Sequence, residues 1–222
     1  MELKLIYVDT PFWRAEVPRI TLHHASIPFH DKRIPREEFL EARKTGFTND
    51  RDFLPFKQIP VLVIDGISLS QTGAISRFCG KLSGLYPIDD DLMAAKIDQV
   101  IDMATDITVL FSNYRKISGN EIILKNRKVF FEKFIMNKLT LLENLLISET
   151  SLSNGTTLFI SDIAIWRVLG WLSSGIIDGF PTDFVHKLPT LQKTCIRVEE
   201  TASIIEWVKK TYPKNYVHGN YR

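Results

Sequence analysis

The chain has 222 residues, enough for one large domain or two small ones with a buried core in either case. It is 45% hydrophobic and 24% charged, ordinary for a soluble globular protein, and its formal net charge is only +2. That balance excludes the strong field expected of a nucleic-acid or anionic-membrane binder, and no apolar run is long enough to span a bilayer.

The opening MELKLIYVDT lacks the basic leader and unbroken apolar stretch of a secretory signal, so a cytoplasmic protein is expected. Leu3, Leu5 and Tyr7 alternate with Lys4 and Ile6, a strand period. A helix follows from about Trp13 to Ala25, with Pro18 expected near its first turn, where a missing N–H costs least. Residues 28–34 read as a polar edge strand, and Glu37 to Lys44 as a short helix. Pro60 to Ile64 is apolar on both faces, as a central strand would be. Asp65-Gly66 signals a hairpin turn, Ile67 to Ser70 the returning strand, and Ala74 to Lys81 another helix. The order β-α-β-α-β-β-α describes a small mixed sheet with helices on its faces.

Ser83-Gly84-Leu85-Tyr86-Pro87 breaks the pattern, and everything after it reads helical. Met93, Ile97, Val100, Ala104, Ile107, Phe111 and Tyr114 follow the helical spacing. Asn126 to Ile147 reads as one amphipathic helix with Phe130, Phe134, Leu142, Leu145 and Leu146 on its apolar face. Ile163 to Ser174 is apolar nearly all round, which points to a buried central helix. Shorter helices are expected around 182–188, 189–199 and 201–210.

The two cysteines, Cys79 and Cys195, form no CxxC and no metal-ligand spacing, so two reduced, buried thiols are expected. Asn154-Gly155-Thr156 has the form of a glycosylation sequon but has no secretory signal to go with it. Asp98, Asp102 and Asp106 recur every four residues on one helical face, the usual pattern of a solvated face. No metal site is expected.

Four local sequences, in this order and spacing, carry a resemblance that covers nearly the whole chain. Leu5-Ile6-Tyr7 followed by Arg14-Ala15-Glu16 resembles the first strand and helix of cytosolic glutathione transferases. Leu54-Pro55-Phe56-Lys57-Gln58-Ile59-Pro60-Val61-Leu62 resembles the segment with that family's cis-proline. Leu69-Ser70-Gln71-Thr72-Gly73-Ala74 resembles its γ-glutamyl site, and residues 92–112 and 181–210 resemble its helical domain. The tyrosine type, and within it the sigma class, is the most similar pattern.

The resemblance implies an α/β plus all-α protein: a thioredoxin-like glutathione-binding domain over 1–82, a linker over 83–91 and an all-helical domain over 92–222. It implies that Tyr7 donates a hydrogen bond to the glutathione sulfur, with Arg14 nearby. A charge-assisted bond of about 1.5–3 kcal/mol would convert most of a thiol with a pKa near ~8.5 to thiolate at neutral pH. Glutathione contacts fall on Tyr7, Phe39, Arg43, Gln58, Ile59, Pro60, Gln71 and Thr72, with Asp98 reaching the glutathione of a dimer partner. Ile59 would pair with the cysteinyl backbone, Gln58 would reach the glycyl end, and Gln71 and Thr72 would offer a helix N-terminus to a carboxylate.

Val8, Phe12, Trp13, Ile107 and Phe111 are the candidates for an apolar acceptor pocket. The expected activity is conjugation of glutathione, as co-substrate, to hydrophobic electrophiles by a homodimer that needs no cofactor. A glutathione-dependent isomerase of the prostaglandin D synthase kind and a non-catalytic structural protein or ligand carrier are the alternatives. A catalytic cysteine is disfavoured, because neither Cys79 nor Cys195 stands near the Tyr7 strand end. Four positions depart from the family pattern: Trp13 for a small residue, Phe39 for tryptophan, Arg43 for lysine, and Phe159 at the cap of the central helix. The 45–52 loop also looks longer than in the sigma class.

Overall fold

The computed structural model describes residues 1–117, 126–153 and 157–222, so the Asn154 sequon lies outside the described residues. The chain divides into a unit Met1–Ile88 and a unit Asp89–Arg222.

In the first unit the strands are β1 (Leu3–Val8), β2 (His30–Ile34), β3 (Val61–Ile64) and β4 (Ile67–Ser70). Its helices are α1 (Trp13–His24), α2 (Arg36–Thr45) and α3 (Thr72–Ser83). The sheet order is β2-β1-β3-β4, with β1 parallel to β2 and antiparallel to β3, so the polar strand is indeed an edge. The β3–β4 hairpin turns at Asp65 (φ 47°) and Gly66 (φ 86°), the two successive positive φ values that a type I′ turn requires.

Strand alternation sorts the apolar residues into two layers. Leu3, Leu5 and Leu62 pack with Leu22 of α1 and Ile75 and Cys79 of α3. Ile6, Val61 and Val63 pack with Ala42 of α2 and Leu54. α1 begins at Trp13 as expected, which makes Pro18 the sixth helical residue, in the second turn rather than near the first. Its ring therefore removes the N–H that a regular helix would offer the Arg14 carbonyl.

Two ion-pair networks brace this unit. Arg19 of α1 is fully buried; its Nε donates to Asp31 of β2 at 2.8 Å and its Nη1 to the equally buried Glu16 at 3.0 Å. Asp31 also accepts from Arg33, which reaches on to Asp9. On the other layer, Lys4 and Lys32 both hold Asp52, and Lys32 also holds Asp50 at 2.6 Å. The long loop is thus tied down to β1 and β2 and closed by a Phe47–Phe53 bridge, with the two rings 5.4 Å apart.

The second unit is helical: α4 (Asp91–Ile117), α5 (Met136–Ser148), α6 (Thr150–Ser153), α7 (Ile160–Ser173), α8 (Pro189–Glu199) and α9 (Ala202–Thr211). Ile97, Val100, Ala104, Ile107 and Phe111 form the buried face of α4, as their spacing requires. The helix expected over 126–147 is interrupted by a π turn at Phe131–Ile135. The wider turn rotates the residues that follow, so Phe131 and Ile135 enter the core while Phe134, expected inside, is 52% exposed.

α7 is buried along nearly its whole length. Phe159 has no side-chain acceptor, so only half of a capping box forms: the Asp162 carboxylate accepts the Phe159 N–H at 2.9 Å and pairs with Arg197 at 2.8 Å. Burial pushes the Asp162 carboxyl up to about 6 against the pull of Arg197. α8 has no cap of its own; Glu143 of α5 accepts the N–H groups of Thr190 and Leu191, each at 2.8 Å. The C-terminal tail lies on α7, where buried Arg167 donates to the Tyr216 hydroxyl and the His218 carbonyl. A Cβ at Gly170 would come within 2.2 Å of that carbonyl, so only glycine admits the tail.

Replacing Arg19 with Met leaves the Glu16 carboxylate buried without its cation. The expected loss is about 3–5 kcal/mol in urea unfolding, much of it recovered when Glu16 is replaced by Met as well. The Asp52 clamp gives a second prediction. Burial pushes the Asp52 carboxyl up, but hydrogen bonds from Lys32 and Lys4 carry it below the ordinary value. Its contribution is therefore complete above the ordinary carboxylate pKa of ~3.9 and is lost as pH falls through the lowered value. Asp52→Asn should cost about 1 kcal/mol at neutral pH, and its unfolding curve should converge on that of the wild type once the pH falls below the lowered Asp52 value.

Candidate functional site

Tyr7 stands one residue before the end of β1, paired with Arg33, and is 8% exposed. It packs in the same apolar cluster as Ile59, with Val8 and Phe12 at the edge of that cluster. Its hydroxyl takes no hydrogen bond among the described residues. Burial pushes the phenol up to about 12, while the guanidinium groups of Arg14 and Arg19 pull it down. The group therefore keeps its proton at neutral pH and is available as a donor. Arg19 also lies 5.8 Å from the ring centroid, a cation on the ring face.

A cleft of about 100 Å³ opens nearby in the same unit, between the approach to β3 and the start of α3. Gln58, Ile59 and Pro60 line one side, Ser70, Gln71 and Thr72 the other, with Arg14 and Phe56 completing the wall. The Ile59–Pro60 bond is cis. The β1–β3 ladder ends at Ile6–Val61, so Ile59 lies beyond it, where an added extended backbone can pair.

Across the cleft, Gln71 has φ 77° and ψ 122°, a conformation that non-glycine residues adopt only where the surroundings enforce it. It is the N-cap of α3, and its side chain makes no capping bond. The first N–H groups of α3 thus face outward at the positive end of the helix dipole, without an acidic residue in the first turn. The buried Ser70 hydroxyl has no partner among the described residues. An orphaned donor beside a helix N-terminus suits a carboxylate.

The cleft thus gathers Arg14, Gln58, Ile59, Pro60, Gln71 and Thr72, with Tyr7 adjoining through the Ile59 cluster. Phe39 and Arg43 do not line this cleft, but Phe39 packs, like Val8 and Phe12, at the edge of the Tyr7 cluster, with the Arg43 guanidinium 5.7 Å from its ring. Trp13 is fully buried at the first position of α1, so its ring serves packing. Ile107 and Phe111 belong to the core of the second unit, where Phe111 meets Trp171 and Phe180 edge-on. Asp98 is half-buried on α4. Sequence reasoning passed over Ser70 and Phe56 as site residues and Arg19 as the charge behind Tyr7. Ser70 and Phe56 both stand inside the motifs already noted, beside residues singled out for the site.

Both cysteines are buried and free. Burial pushes the Cys79 thiol up to about 12 and Cys195 well above its ordinary value, so neither is a reactive thiolate. Among the described residues no group of His, Cys, Asp and Glu is placed to hold a metal ion, and no helix is long and apolar enough to cross a membrane.

Comparison with known proteins agrees with this geometry. Residues 3–80 match the family model of the glutathione S-transferase N-terminal domain. Glutathione S-transferase 1 of Ascaris suum is 29% identical over 220 residues, covering 93% of this chain and 95% of that protein. Hematopoietic prostaglandin D synthase of Gallus gallus is 26% identical over 202 residues, covering 89% and 90%. The solved prostaglandin synthase D of Nilaparvata lugens shares the fold, with a TM-score of 0.77 at 22% identity over 96% of this chain and 100% of that one. With the thioredoxin-like sheet and the cis-proline cleft inside the matched residues, the first unit belongs to the glutathione S-transferase N-terminal domain family.

Proposed function

We propose that the chain is a glutathione transferase, which activates the thiol of glutathione and adds it to hydrophobic electrophiles. The observation that carries this reading is the pairing, in one cleft, of a strand-like edge at cis Ile59–Pro60 with an uncapped helix start at Gln71–Thr72. A tripeptide with a free carboxylate at its γ-glutamyl end fits both walls. Its cysteinyl backbone continues the sheet at Ile59, its γ-glutamyl carboxylate meets the N–H groups of α3 and the Ser70 hydroxyl, and Gln58 reaches toward the glycyl end. The cysteine sulfur then lies toward the β1 end, where neutral Tyr7 donates its hydrogen bond and Arg14 adds positive charge. The thiol proton leaves to solvent, and the sulfur lone pair forms the new bond to the electrophilic carbon. As it does, that carbon's bond to its leaving group breaks and the group departs to solvent with the electron pair. With an activated double bond, the π pair instead shifts away and takes a proton from water. The site holds the reactants together.

Several finer features belong to the same proposal: a symmetric homodimer, sigma-class character, a cytoplasmic location and a detoxifying role. No cofactor beyond glutathione as co-substrate is needed. Asp98 is proposed to reach the partner's glutathione, with Phe39 and Arg43 near the glycyl end. Val8 and Phe12, at the edge of the Tyr7 cluster, are proposed to face the acceptor. A second reading, a glutathione-dependent isomerase, is favoured by the relatives named prostaglandin D synthase. It uses the same thiolate and differs only in the acceptor, so a substrate panel separates the two.

The decisive comparison is wild type against Tyr7→Phe, read by thiolate absorbance of bound glutathione against pH and by conjugation rate. The variant should keep glutathione binding, lose about tenfold to a hundredfold in kcat/KM and move the bound thiol back toward its free pKa of ~8.5. Unchanged rates would remove Tyr7 from the mechanism. No glutathione binding at millimolar concentration would leave the structural or carrier reading in its place.

A further inference from the structure

The long loop after α2 has no part in the reading above, yet it helps to build a second cleft in the first unit. That cleft holds about 280 Å³, and none of its residues lines the glutathione cleft. Its floor is sheet: Lys4, Val63 and Ser68 stand opposite one another on β1, β3 and β4, a row on the face that carries α2. Arg51, Asp52 and Phe53 of the loop form one wall. Glu2 and Asp65 close the end, held together because the Glu2 N–H donates to the Asp65 carboxylate at 2.7 Å. The loop wall is fixed by the chain itself: Lys4 and Lys32 clamp Asp52, and the Arg51 N–H donates to the Thr48 carbonyl at 3.0 Å. A wall held in this way spares a ligand the cost of ordering it.

The charges on these walls are unequally met. Lys4 and Asp52 pair with each other. Among the described residues the Arg51 guanidinium makes no hydrogen bond or ion pair, and neither Glu2 nor Asp65 has a cation. One open cation and two open carboxylates therefore line the same cleft from different walls. A guanidinium matches a carboxylate with two parallel N–H bonds, and an ammonium brings three donors to carboxylates. A simple anion would meet three carboxylates against two cations, and a simple amine would leave Arg51 unmatched. A molecule carrying both charges satisfies both walls. Phe53, 49% exposed, and Val63 offer apolar surface to the rest of it.

We propose that this cleft binds a free α-amino acid with an apolar side chain. Its carboxylate accepts from the Arg51 guanidinium, its ammonium donates to Glu2 and Asp65, and its side chain lies along Phe53 and Val63. The volume suits one such molecule and is just below that of a site for drug-sized ligands. A bound amino acid ties the loop to the β3–β4 hairpin, a link that the chain alone does not make through Arg51.

The test is an NMR titration of the amide groups of the full chain with L-phenylalanine. Expected are saturable shifts at the amides of Lys4, Phe53 and Ser68, and none at Gln71 and Thr72. Arg51→Gln and Glu2→Gln, both at exposed positions, should each weaken binding about threefold or more while leaving glutathione binding unchanged. N-acetyl-L-phenylalanine lacks the ammonium and phenethylamine lacks the carboxylate, so each should bind at least about fivefold more weakly. No saturable shift up to about 10 mM amino acid would overturn the proposal. So would shifts centred on Gln71 and Thr72, or an affinity that neither substitution alters.

Discussion

Arg19 is the constraint on which the first unit depends. A guanidinium with no solvent exposure must have its charge met inside the protein, and Glu16 and Asp31 meet it. One partner comes from its own helix and the other from β2, so the ion pairs fix α1 against the sheet edge. They do so directly behind the Tyr7 ring. The same charge pulls the Tyr7 phenol down against burial, with Glu16 opposing it, so the group that locks the scaffold also tunes the tyrosine in front of it.

The cleft is built from termini rather than from the middles of elements. β1 ends near Tyr7, β3 begins just after the cis-proline, and α3 begins at Gln71. Each of these places leaves backbone hydrogen-bonding groups outside the regular ladders, and a peptide ligand is what such groups can recognise. The unusual backbone at Gln71 fits this picture, since a strained N-cap aims the helix start while its side chain makes no capping bond.

Most of the framework was legible in the sequence because it rests on local pattern. Alternation gave β1, the Asp65-Gly66 pair gave the hairpin, and the i, i+3, i+4 spacing gave α4 and the buried α7. The cleft residues were legible too, through motif order. What escaped depends on partners distant in the chain or on a single extra residue. The π turn at Phe131–Ile135 turns Phe134 outward, and no periodicity of 3.6 foresees a wider turn. The clamp of Lys4 and Lys32 on Asp52 joins residues brought together only by the sheet register, and it gives a long polar loop a fixed seat.

The double contact of Glu143 with the first amides of α8 says something about how the second unit holds together. α8 begins at a proline with no side-chain cap of its own, so the stability of its first turn is supplied by a carboxylate 47 residues earlier in the chain. Neither α5 nor α8 is then a self-sufficient building block. Separating them strands a buried acid and exposes unpaired amides in the same event, so the two helices rise and fall as one cooperative piece. The helical unit owes its all-or-none character to such shared obligations as much as to the grease between its helices.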